Sequence, residues 1–192
     1  VQRTGDGGAA FDEAFDRGGA LHAHARPTAD EWIARLALMP HPEGGWYRET
    51  YRSRERVDGA ALPPRFGGAR VLSTAIYYLL RAGERSALHR IKSDEVWHHY
   101  AGDAVTLWLL EVPGCAKCVR LGGDGEPQVL VPAGAWYGGR VIEGGAYALM
   151  GGTVAPGFEF ADFELADRAA LLAAWPEHRQ VIEDLTAATP HT

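Results

Sequence analysis

Residues 83–102 read GERSALHRIKSDEVWHHYAG. Three of the chain's eight histidines fall here, together with a carboxylate that a strand turns to the same side as one of them. Gly83–Ala87 reads as a turn and Val96–Tyr100 as a strand, which ends in a further turn at Gly102-Asp103, the inverse of a favoured hairpin dipeptide. Successive strand side chains point to opposite sides, so Glu95, Trp97 and His99 share one face and Val96, His98 and Tyr100 the other. His89 points in with Ile91 by the same period.

The pattern repeats on both sides of this stretch. Before it, Gly44-Gly45 ends a turn and Trp46–Arg52 reads as a strand, with Trp46, Arg48 and Thr50 on one face and Tyr47, Glu49 and Tyr51 on the other. Residues 53–70, with Pro63-Pro64 and Gly67-Gly68, form a surface loop, and Val71–Leu80 resumes the strand pattern. After it come Ala104–Glu111, Cys118–Leu121, Gln128–Val131, Ala135–Tyr137, Ala146–Val154 and Phe158–Leu165.

Helical spacing is confined to the two ends. Thr28 or Asp30 caps a helix carrying Trp32, Ile33 and Leu36 that stops before Pro40; Asp167 caps ADRAALLAAW, and Pro176 opens a second short helix through Leu185. About eight or more short strands between terminal helices predict a sandwich or barrel rather than alternating β and α units. Residues 1–26, rich in Gly, Ala, Asp and His, read as a tail or arm, and 27–192 as a single domain. His22 and His24 in that tail do not by themselves make a metal site.

Composition narrows the class of function. A 46% hydrophobic and 23% charged chain with 24 glycines and 11 prolines is that of a turn-rich globular domain. A formal charge of −6 leaves no basic field to gather phosphates, so nucleic acid is excluded as a partner and a small polar ligand expected. No apolar run approaches a membrane span, and the N-terminus lacks the plan of a signal peptide, which predicts no membrane association and a cytoplasmic protein. Cys115 and Cys118 form the sole C-x2-C and read as two loop thiols.

The quoted stretch also fits the first cupin motif, G-x5-H-x-H-x3-E-x6-G, at Gly83, His89, Glu95 and Gly102, with Ile91 where the second histidine belongs. The second motif, P-x-G-x2-H-x3-N, is echoed by Pro132, Gly134 and Tyr137, with Val141 for the Asn. More specifically, PHPEGGWYRETYRS at 40–53, STAIYYLL at 73–80, SDEVWHHYAGD at 93–103, VPAGAWYGG at 131–139 and APGFEFADFEL at 155–165 resemble the Cupin_5 family. The resemblance covers residues ~36–185 in order. It implies an all-β double-stranded β-helix, the cupin jelly roll, with short flanking helices, commonly paired as a homodimer. It does not settle the activity, because one barrel hosts many chemistries.

A standard cupin metal site uses three histidines and a glutamate, of which His89 and Glu95 remain here. Without a metal, the same positions make an acid–base pocket: His89 as base, Glu95 or Asp94 fixing its tautomer, and Tyr137 across the pocket as acid. That arrangement is similar to the deoxysugar-nucleotide 3,5-epimerases. The first expectation is therefore a metal-independent, cofactor-free isomerase or epimerase acting beside a carbonyl. A metal-dependent cupin enzyme, with His89 and Glu95 on a divalent transition metal, is one alternative; a non-catalytic ligand-binding cupin is the other.

Candidate substrate-binding residues are Arg48, His99, Trp97, His41 and Glu43. Arg48, with Arg90 and Lys92, offers charge to an anionic group, so a nucleotide sugar or keto acid is the expected class of substrate. His41 and Glu43, in the PHPEGG turn, lie at the pocket mouth.

Overall fold

A computed structural model describes residues 26–186, so all of the expected arm but Arg26 lies outside the described residues. In chain order the strands are β1 (Met39–Pro40), β2 (Trp46–Arg52), β3 (Arg56–Val57), β4 (Arg70–Val71), β5 (Thr74–Arg81), β6 (Arg85–Arg90) and β7 (Asp94–Gly102). β8 (Val105–Val112), β9 (Cys115–Leu121), β10 (Gln128–Val131), β11 (Trp136–Val141), β12 (Tyr147–Ala155) and β13 (Glu164–Leu165) follow. Three α-helices flank them: α1 (Ala29–Leu36), α2 (Arg168–Ala174) and α3 (Arg179–Leu185).

Two antiparallel sheets face each other. One has the order β1-β2-β5-β12-β7-β10 and the other β13-β6-β11-β8-β9, with β3 and β4 as a separate pair. This is the all-β jelly roll expected. Between the sheets lies the main core, which includes Leu80, Leu107, Leu121, Val131 and Met150, all essentially excluded from solvent. Truncating such a side chain to Ala costs about 2–5 kcal/mol, so the inner faces carry much of the fold's stability.

The helices cover outer faces. α2 and α3 bring Leu171, Trp175, Ile182 and Leu185 onto Leu88, Leu110 and Trp136 of the smaller sheet. α1 packs beside Leu79, Tyr147 and Leu149 of the larger one, with Leu38 from the link to β1. Thr28 caps α1 in a capping box with Glu31, and Asp167 accepts from the Ala170 N–H to cap α2. No described helix is long and apolar enough to cross a membrane.

Two expectations about local structure fail. Arg85–Arg90 is a strand rather than part of a turn, because its backbone is paired on both sides, with β11 and with β13. Of the strand expected over Phe158–Leu165, only Glu164–Leu165 pairs; Phe160–Asp162 is a 3-10 turn, drawn in by the Arg70 guanidinium, whose Nε and Nη2 hold the Asp162 carboxylate at 2.6 and 2.7 Å. That side-chain clamp overrides the β propensity of the phenylalanines.

Candidate active site

A cavity of about 250 Å³ opens between the sheets. Strand register decides which side chains enter it. Thr74, Ile76 and Tyr78 of β5 pair with Val154, Gly152 and Met150 of β12, which in turn set Val154 opposite Glu95 and Gly152 opposite Trp97 on β7. Paired residues point to the same side of a sheet, so Glu95 and Trp97 line the cavity with Thr74, Ile76 and Tyr78. From the facing sheet come His89 on β6 and Tyr137 on β11, which are register partners.

His89 is 2% exposed. Its Nδ1 lies 2.7 Å from the Ala87 carbonyl oxygen, and a carbonyl can only accept, so Nδ1 carries a proton. Its Nε2 stands 3.0 Å from Glu43 Oε2. Glu43 Oε1 accepts from Ser86 Oγ at 2.8 Å. The glutamate reaches the core because its turn is locked against β6: the Ala87 N–H donates to the Glu43 carbonyl, and a Cβ on Gly44, at φ +108°, would fall 2.2 Å from the Arg85 carbonyl oxygen. Only glycine fits there.

The second carboxyl bridges the two sheets. Tyr137 Oη donates to Glu95 Oε2 at 2.5 Å, while Glu95 Oε1 lies over Gly152 without a hydrogen bond among the described residues. The His89 and Tyr137 ring centroids are 4.1 Å apart. Glu95–Tyr137 and His89–Glu43 are thus two polar pairs, packed together through the Tyr137 and His89 rings. The Trp97 indole N–H faces the same carboxyl and draws the Glu95 pKa down weakly, but it lacks hydrogen-bond geometry and has no partner.

Burial sets the ionisation of this cluster. Desolvation raises the pKa of both Glu43 and Glu95; the Tyr137 hydrogen bond opposes it at Glu95, and the neighbouring His41 opposes it at Glu43. Desolvation lowers the pKa of His89 and of His41. Tyr137 and Tyr78 are pushed well above the ordinary phenol value, first by burial and then by the adjacent carboxylates. All six shifts favour uncharged groups in the cavity.

Several candidate residues stand elsewhere than expected. Tyr137 is beside His89 on the adjacent strand, not across the pocket. Arg48 faces outward, its guanidinium over the Tyr77 ring, and does not line the cavity. The cavity arginine is Arg52: a register shift between Glu49 and Tyr51 sets Tyr51 opposite outward-facing Ala75 and Arg52 opposite inward-facing Thr74. Plain alternation put Arg52 on the face of Arg48, and the bulge reverses it. Arg52 grips Glu49 at 2.8 and 3.0 Å and reaches Glu159 and the Phe158 carbonyl, each at 3.2 Å, so it ties β2 to the aromatic rim of Phe158, Phe160 and Phe163.

His99 keeps the face of Trp97 but not the cavity, because its ring packs on Gly122 and its Nε2 sits 3.1 Å from the Asp103 carbonyl oxygen. Arg90 pairs with Glu164 over the Trp136 ring, and Lys92 with Asp162 outside the cavity. His41 and Glu43 do line it, and lie deeper than a pocket mouth, with side chains 8% and 6% exposed.

The donor set does not fit the metal that the fold family implies. Ile91 and Tyr137 stand in place of two imidazoles, both nitrogens of His89 and one oxygen of Glu95 are engaged by protein groups, and His41, Glu43 and His89, though close together, spend their facing atoms on one another.

Comparison with known proteins places the fold in a family. No curated protein matches the chain. Protein SO0799 from Shewanella oneidensis, known from a crystal structure, is 38% identical with a TM-score of 0.76, the match covering 85% of this chain and 99% of that one. A hypothetical protein from Leishmania major is 35% identical with a TM-score of 0.77, over 84% of this chain and all of its own. The model of Cupin_5, described as cupin superfamily (DUF985), matches residues 30–166. The chain therefore belongs to the Cupin_5 family of the cupin superfamily.

Proposed function

We propose that this protein is a metal-independent isomerase that moves a proton beside the carbonyl of a small molecule. The observation that carries the reading is Glu95: a buried carboxyl with one oxygen held by Tyr137 at 2.5 Å and the other left open over Gly152 in the cavity. A carboxyl whose pKa is raised by burial is a base poised nearer neutral pH, which is what proton abstraction from carbon asks for.

The roles follow from which lone pairs are free. His89 shares its Nε2 with Glu43, so the base is Glu95 Oε1, and the His89–Glu43 pair holds a second proton. Tyr137 holds the other oxygen of Glu95 and packs its ring on His89. Because Glu95 Oε1 both takes and gives back the proton, it returns to the face from which it came. Isomerisation suits that arrangement better than epimerisation, which needs groups on both faces of the substrate.

The test is deuterium uptake from heavy water by a panel of small aldoses, ketoses and 2-keto acids, read by proton NMR. The expected result is uptake next to the carbonyl by at least one compound, reduced on the order of 10²–10⁴-fold in Glu95→Gln. Full uptake in Glu95→Gln, or binding without uptake by every compound that binds, defeats the reading.

A further inference from the structure

The Glu43 turn places a second histidine on the cavity with its tautomer fixed. The backbone N–H of Glu43 points at His41 Nδ1 at 3.3 Å, and an N–H donor requires a lone pair there. The proton of the neutral ring is therefore on Nε2. His89 has the reverse arrangement, with its proton on Nδ1. One glutamate thus stands between two imidazoles of opposite tautomer, His89 Nε2 at 3.0 Å and His41 Nδ1 at 3.5 Å from Glu43 Oε2.

The surroundings of His41 keep it in place and uncharged. Tyr47, Tyr78 and Phe163 meet its ring edge-to-face at centroid distances of 4.5, 5.9 and 6.2 Å. The charged or titratable groups near it are Glu43, His89, Tyr47 and Tyr78; of these Glu43 favours the imidazolium and His89 opposes it, while burial, the largest influence, lowers the pKa. Nε2 makes no hydrogen bond among the described residues; Nδ1 is the nitrogen on the Glu43 side, and the His41 ring lines the cavity.

We propose that His41 is a catalytic residue of the proton transfer, its neutral Nε2–H donating to the substrate carbonyl oxygen while Glu95 takes the proton from the adjacent carbon. The inference rests on the isomerase reading and names its electrophile. The balance is simple: the C–H bond breaks with its proton on Glu95 Oε1, the electron pair moves onto the carbonyl oxygen, and the Nε2–H hydrogen bond stabilises the enolate so formed. A neutral imidazole is matched to that oxygen because its own pKa as a donor is closer to that of an enol than an imidazolium's is. The substrate class is accordingly a small compound with a carbonyl next to a carbon-bound hydrogen, such as a short ketose.

The test has two arms. Long-range nitrogen–proton NMR of the imidazoles, assigned with His41→Leu and His89→Leu, is expected to show His41 as the Nε2–H tautomer and His89 with Nδ1 protonated near neutral pH. Titration with dihydroxyacetone should move the His41 Nε2 signal, whereas glycerol, its reduced counterpart without the carbonyl, should not. In the exchange assay on the full chain, His41→Leu should lose roughly 10²–10³-fold in kcat with little change in KM, and His41→Gln, which keeps an N–H donor, should recover most of it.

Either an Nδ1–H or a charged His41, or an unmoved Nε2 signal with dihydroxyacetone, overturns the proposal. So does an exchange rate unaffected by His41→Leu. The two readings fail separately. A His41 signal that responds to the ketone without any deuterium uptake keeps the donor and removes the isomerase; uptake that survives His41→Leu but not Glu95→Gln does the reverse.

Discussion

Glu43 Oε2 lies 3.0 Å from His89 Nε2, while the other nitrogen of that imidazole is committed to the Ala87 carbonyl. One proton therefore sits between the carboxyl and Nε2, and both groups, buried, are stabler uncharged. Glu43→Gln keeps a donor for Nε2 and an acceptor for Ser86 but removes the transferable proton. Its unfolding free energy should stay within about 1 kcal/mol of wild type, with exchange lost. Glu43→Ala leaves His89 and Ser86 unpaired and should cost roughly 2–4 kcal/mol in urea denaturation. Equal stability of the two variants would show that the pair does not hold the turn.

Tyr137 bears on the pH profile through Glu95. Its hydrogen bond lowers a carboxyl pKa that burial raises, so removing the hydroxyl lets that pKa rise further. In Tyr137→Phe the acid limb of the exchange rate, which marks ionisation of the base, should move to higher pH, and the ring packing against His89 should persist. A limb that stays in place or moves to lower pH contradicts the assignment of Glu95 as base.

Gly152 permits the open oxygen. A Cβ at this position would stand 2.4 Å from Glu95 Oε1. The flexible carboxyl can swing away, so Gly152→Ala should change stability by little while cutting exchange in the manner of Glu95→Gln. Wild-type exchange in Gly152→Ala would mean that the position of Oε1 does not matter.

The sequence made the jelly roll legible because alternation and turn residues act locally: Thr28 and Asp167 cap the helices expected of them, and Trp46–Arg52 and Gln128–Val131 are strands with the bounds read from sequence. The cavity was legible in part. Glu95, Trp97, His89 and Tyr137 line it because strand parity and motif spacing reach that far. Arg52 was missed because a bulge, invisible to a period of two, flips its face. The Glu43–His89 pair was missed because it joins a turn to a strand distant in sequence, and only the packing of Gly44 on β6 brings them together.

The mouth of the cavity depends on Arg70. Its guanidinium meets Asp162 through two hydrogen bonds with both side chains under 10% exposed, and the Asp162 turn positions Phe160 and Phe163. Asp162→Ala strands a buried cation, which should cost roughly 3–5 kcal/mol by chemical denaturation. Arg52→Ala at the same rim breaks half-exposed pairs and should cost under about 1 kcal/mol, while speeding hydrogen exchange over residues 156–163. The order of these two costs is the point at risk.

The buried histidines and glutamates make opposite demands on stability as pH changes. His41 and His89 have folded pKa values below the ordinary 6.5, so below that pH the unfolded chain takes up protons that the folded one refuses, and stability falls as pH falls toward the folded values. Glu43 and Glu95 have folded pKa values above the ordinary 4.5, so the folded chain keeps protons that the unfolded one releases, and stability falls as pH rises from there toward the folded values. Between pH 4.5 and 6.5 the two slopes oppose each other, and the wild-type curve should be shallow. The double variant Glu43→Gln/Glu95→Gln removes the falling limb, so its stability should climb with pH across that window, by up to about 1.4 kcal/mol per pH unit for each histidine proton. Unfolding free energies from urea titrations at a series of pH values in this window check it. A double variant as shallow as wild type would mean that the carboxyls do not carry the protons that burial assigns to them.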